Sequence, residues 1–135
     1  MSDPLRTRLE EVRRALLTLH KALVDSERIT YEKTVGPIPS PNHFLKLLME
    51  DPWFAWLQPV SQLIISIDEA LDGKEPLTAA KVEATTKRSR VLLAPSENSN
   101  QFPRHYFDAL QRDPDVVLAH GQVMKIIGRT PRPAE

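Results

Sequence analysis

Leu5, Leu9, Val12, Leu16, Leu19 and Leu23 follow one another at intervals of 4, 3, 4, 3 and 4 residues. Only an α-helix gathers positions with that spacing onto one stripe. The run predicts a helix from about Pro4 to about Arg28, with Asp3 as its cap and Pro4 in the first position, where a missing N–H costs nothing. Arg6, Arg8, Glu10, Glu11, Arg13 and Arg14 occupy the other faces. A stripe of this width fits a bundle helix packing within its own chain. Docking on a second chain is the alternative, although the seam is short for a free-standing coiled coil.

Residues 29–42 read as a long non-helical connection, because Pro37, Pro39 and Pro41 alternate after Gly36 and each proline pushes the residue before it toward extended backbone. Its apolar Ile29, Tyr31, Val35 and Ile38 suggest that it lies on the body. Ser40-Pro41 then opens a short helix carrying His43, Phe44, Leu47 and Leu48. Asp51-Pro52 opens a longer one, with Trp53, Trp56, Leu57, Val60, Leu63, Ile64, Ile67 and Leu71 on one stripe, a kink expected at Pro59, and an end at Gly73. Thr78 caps a fourth helix reaching about Ala94, with Ala80, Ala84, Val91 and Leu92 expected inward. A polar loop follows over 96–101, and then a helical stretch from Pro103 to Ile127. No segment alternates in a strand pattern. The fold expected is all-α: a compact bundle of about five to six helices in a single domain over 1–128, with 129–135 as a flexible tail.

The chain also resembles itself. Pro41 to Pro52 aligns with Pro103 to Pro114 in the pattern Pro-x-His-aromatic-apolar-x-x-Leu-x-x-Asp-Pro. Each copy reads as a short helix, an Asp-Pro corner and a longer helix. The expectation is an internal repeat about a pseudo-twofold; the plainer reading is two independent uses of one corner.

Composition narrows the chemistry. At 135 residues, 41% hydrophobic and 27% charged, the chain is long enough to bury a core without staples. Its 18 basic and 18 acidic residues cancel, so no global field draws it to nucleic acid or an anionic membrane. It has no cysteine, which excludes disulfides, thiolate metal sites and a cysteine nucleophile. With no apolar run of membrane length and a charged first segment, the expectation is a cytoplasmic protein.

Four histidines are present: His20, His43, His105 and His120. His43 and His105 hold equivalent places in the two copies, each in a first helical turn. With Tyr31 and Tyr106 they form the candidate ligand set. Packing at the corners is the bland reading. Metal-binding spacings such as Glu-x-x-His are missing, so no metal and no cofactor are expected. His20 and His120 read as boundary residues. Trp53, Phe54 and Trp56 cannot all face one way on a helix, and the one that surfaces is a candidate partner anchor. Lys87, Arg88 and Arg90 form the densest basic cluster, against an acidic stretch over 50–75, and mutual pairing between the two is expected. No phosphate loop, nucleophile elbow or paired-carboxylate pattern is visible, so no catalytic residue is assigned. The leading expectation is a non-catalytic interaction or regulatory module, with a protein partner or a homodimer. The alternative is a small-ligand- or metal-binding bundle using His43 and His105 near the 29–42 loop. An enzyme would need a pocket between the two copies.

Overall fold

A computed structural model describes residues 3–128; the tail assigned to 129–135 lies outside them. Six α-helices and one 3₁₀ turn make up the fold, with no strand among the described residues. The helices are α1 (Pro4–Thr34), α2 (Pro41–Glu50), α3 (Gln58–Asp72), α4 (Ala79–Leu92), α5 (Phe102–Arg112) and α6 (Pro114–Ile127), with the 3₁₀ turn over Pro52–Leu57. This is the all-helical bundle that the apolar spacing implies.

α1 is the axis of the bundle. Asp3 caps it through Leu5 N and Arg6 N, and Leu9, Val12, Leu16, Leu19 and Leu23 are all buried. Against them pack Val60, Leu63, Ile64 and Ile67 of α3, Val116, Val123 and Ile127 of α6, and Tyr106 and Ala109 of α5. α1 contacts α3, α4, α5, α6 and the 3₁₀ turn, so every later element except α2, which packs on the 3₁₀ turn, is positioned against one 31-residue rod about 46 Å long.

Two boundaries differ from the sequence reading. α1 continues to Thr34, so the connection to α2 covers only residues 35–40. Proline restricts itself and its predecessor, and the first proline is Pro37; nothing stops the helix from absorbing 29–34. Gly36 makes the turn at φ 146°, a backbone conformation that favours glycine. Buried Ile38 returns the chain to the body, and its N–H donates to Glu32 Oε2 at 3.3 Å. The second difference is at Pro59. It does not kink a long helix; the 3₁₀ turn ends at Leu57, and α3 starts afresh with Pro59 in its first turn, where its missing donor is harmless.

The self-similar segments share their corner. Asp51 Oδ1 accepts from Trp53 N at 2.8 Å, and Asp113 Oδ1 accepts from Asp115 N at 2.9 Å. Beyond the corner they part: a 3₁₀ turn follows Asp51, whereas α6 runs unbroken from Pro114 through Gly121. Proline at 59 removes a helix donor and glycine at 121 does not, which accounts for the difference.

α4 shows the largest departure. Thr78 caps it as expected, its Oγ1 accepting from Lys81 N at 3.1 Å. Its inward residues, however, are Val82, Thr86 and Ser89, followed by Leu93 at its end, while Ala80, Ala84 and Val91 are exposed and Leu92 is half-buried. Spacings of 4, 3 and 4 from Val82 form a stripe as regular as the one expected. Its two hydroxyls are buried at low cost because each bonds within the helix, Thr86 Oγ1 to Val82 O at 3.0 Å and Ser89 Oγ to Thr85 O at 2.9 Å.

Candidate functional site

The four histidines have separate surroundings. His43 is exposed and lines a shallow depression at the end of α2 with Lys46, Glu50 and Asp51. His105 is exposed and stacks on Trp56, ring centroids 5.2 Å apart and planes 17° from parallel. His20, on α1, meets Ser61 of α3 at 2.9 Å through Nε2, and burial lowers its pKa from the usual histidine value. His120 Nδ1 lies 2.5 Å from the hydroxyl of Tyr106. Burial lowers the His120 pKa and raises that of Tyr106, so the phenol stays protonated and the imidazole neutral. A neutral imidazole accepting the phenolic proton satisfies both groups.

Among the described residues, no three or more histidine, aspartate or glutamate side chains gather where they could hold a metal. Asp108, the carboxylate nearest in sequence to His105, pairs with Arg104 at 3.1 Å.

The aromatic residues fall into two groups joined through the 3₁₀ turn. Tyr31 of α1 packs edge-on against Trp53, at 5.5 Å, and against Phe54, which also meets Phe44 of α2. Trp56 meets Phe102 at 5.7 Å, and Phe102 stacks on Tyr106. Phe54 and Tyr106 are wholly buried, while Trp53, Trp56 and Tyr31 are half-buried. The indole N–H groups of Trp53 and Trp56 are both buried and meet no hydrogen-bond acceptor among the described residues. Of the three aromatics proposed as anchors, Phe54 is a core residue. A ring on a 3₁₀ turn advances by a third of a turn per residue, so Trp53 and Trp56, three residues apart, share one half-buried face while Phe54 turns into the core.

The charges pair differently from the sequence reading. Asp68 pairs with Arg13 of α1, Glu75 with Lys81 at the start of α4, and Glu83 with Arg8 at 3.8 Å. Asp68 and Glu75 of the acidic stretch thus pair away from the basic cluster. Among the described residues Lys87 has no acidic partner, Arg88 reaches only Ser66 Oγ at 3.3 Å, and Arg90 reaches only the Ile127 carbonyl at 3.3 Å.

Lys87 and Arg88 border an open groove between α3 and α4. Pro59, Gln62, Ala84, Lys87, Arg88, Val91 and Leu92 line it, and its volume is about 510 Å³. Val91 at its edge is 69% exposed, and Ile65, one turn past Gln62 on α3, is 54% exposed. A second groove of about 460 Å³ runs between α1 and α6, with Ala22, Ile29, Leu118 and Ala119 on its walls. There Lys21 is paired with Asp25 at 2.7 Å. Sequence reasoning missed the α3–α4 groove because it placed Ala80, Ala84 and Val91 in the core; the signal available was the basic triplet in a helix whose apolar residues are small and sparse.

No protein-family model matches the chain, and no curated protein or solved structure matches it significantly. Among the described residues no helix is long and apolar enough to cross a membrane.

Proposed function

We propose that this protein is a non-catalytic, cytoplasmic interaction or regulatory module that docks a protein partner or a second copy through the outer face of α4 and the groove beside it. One observation carries the reading: α4 buries Thr86 and Ser89 while exposing Ala80, Ala84 and Val91. Apolar side chains turned to water along three helical turns are a face that gains by being covered. Three groups that could do chemistry, His20, His120 and Tyr106, support it too, since each is tied to a neighbour within the bundle.

The test is site-specific photocrosslinking in cells from residue 91, with a probe at exposed Leu45 on α2 as the control. The expected result is one discrete adduct from residue 91 whose partner, once purified, forms the same adduct with the purified protein. Ala84→Arg should abolish it. Equal labelling from both positions, or an adduct insensitive to Ala84→Arg, would remove the proposal.

A further inference from the structure

Lys87 and Arg88 decide what kind of partner the α4 face fits. They line a groove together with Pro59, Ala84 and Leu92, with exposed Val91 at its edge. Neither has a carboxylate among the described residues, and the hold of Arg88 on Ser66 is a single contact to a neutral hydroxyl. Cations near a helix C-terminus complement its dipole, which explains their tolerance there but leaves each without a counter-charge. We infer that the α3–α4 face receives an acidic amphipathic helix from a protein partner, its apolar side chains in the groove and its carboxylates against Lys87 and Arg88. This deepens the reading of α4 as a docking face and rests on it.

Geometry and charge both favour that occupant. From Ala80 to Val91 the exposed stripe spans about 16 Å, three helical turns, which matches anchors at i, i+3/i+4 and i+7 on a partner helix. A second copy fits less well. The α4 of a second copy would bring Lys81, Lys87, Arg88 and Arg90 with Glu83 as its single carboxylate, so it offers mostly positive charge to cations that need the opposite. The α1–α6 groove lacks this bias, because its lysine already has Asp25.

The experiment uses the isotope-labelled full chain and two synthetic helical peptides of about 16 residues. Both carry leucine at i, i+4, i+7 and i+11; one has glutamate on the flanking positions, the other lysine. The acidic peptide should shift the amide resonances of Gln62, Ala84 and Val91. It should bind on the order of tenfold tighter than the basic one, and added salt should erode the difference. The double variant Lys87→Glu/Arg88→Glu should reverse the preference; both positions are exposed, and an unchanged melting temperature confirms the fold. Equal binding of the two peptides overturns the inference. So do shifts confined to another face, dimerisation through α4 by sedimentation, or binding to phosphatidylglycerol vesicles in place of the peptide. If the residue 91 crosslink forms but the acidic peptide does not bind, the charge assignment fails while docking stands. If neither occurs, both fail.

Discussion

Arg112 donates to Glu27 Oε2 at 2.6 Å and to Ser26 Oγ at 3.1 Å, tying the end of α5 to α1. The contact sits where the leucine seam of α1 runs out. Beyond Leu23 the inward positions are Ser26 and Glu27, both buried, and the guanidinium supplies their partner. The stripe therefore continues as a polar clasp through Ser26 and Glu27.

Removing Arg112 strands a buried carboxylate. Arg112→Ala should cost about 1–3 kcal/mol, less than a fully enclosed pair because the arginine side chain is 35% exposed. Replacing both residues, as Glu27→Met with Arg112→Met, should recover much of that loss, since an apolar pair needs no counter-charge. Urea titration of the two variants checks both statements. Additive losses in the double variant would show that the pair does not act as a unit.

His20 and His120 should make the protein less stable in mild acid. Burial lowers both pKa values in the folded state, so between the folded values and the unfolded one near 6.5 the unfolded chain binds protons that the folded chain does not. Stability is then fully present above about pH 6.5 and falls as the pH drops through that window. Protonating His120 also turns its ring from acceptor to donor and strands the phenolic hydrogen of Tyr106. Denaturant midpoints at pH 7.5 and 5.5 should differ in the wild type and differ less in His20→Gln/His120→Gln. An undiminished difference would assign the pH dependence to other groups.

Asp51 and Asp113 each hold the N–H two residues ahead at an Asp-Pro corner. Alanine at either position should cost about 0.5–2 kcal/mol. Thermal melts measure it, and asparagine, which keeps a capping oxygen, should restore most of the loss.

What the sequence made legible follows from the strength of each pattern. Six apolar residues in strict 4-3 alternation fix α1, and the burial of Leu9, Val12, Leu16, Leu19 and Leu23 follows from that spacing alone. The caps at Asp3, Ser40, Asp51, Thr78 and Asp113 were readable because each short polar side chain precedes a helical run. Residues 29–34 were not, because the alternating prolines beyond them outweighed a weak local preference that Tyr31 settles by packing on Trp53 and Phe54. Contacts such as Tyr106 with His120 and Trp56 with His105 join residues with no shared periodicity, so only the assembled bundle reveals them. α4 misled for a different reason: its two candidate faces are equally periodic, and the choice lies in what α1 and α6 can accept.

That choice gives the sharpest mutational contrast in the molecule. If the face with Thr86 lies against the bundle, Thr86→Lys drives an ammonium into a position that is 1% exposed, and the loss should exceed about 3 kcal/mol. Ala84→Lys, two residues away on the open face, should change stability by no more than about 0.5 kcal/mol. Thr86→Val should be close to neutral, because the hydroxyl bonds only to a carbonyl of its own helix and that carbonyl keeps its backbone partner. Chemical denaturation of the three variants separates the two faces. A severe loss at 84 with tolerance at 86 would mean that α4 packs with its alanines inward, and the docking face would lose its basis.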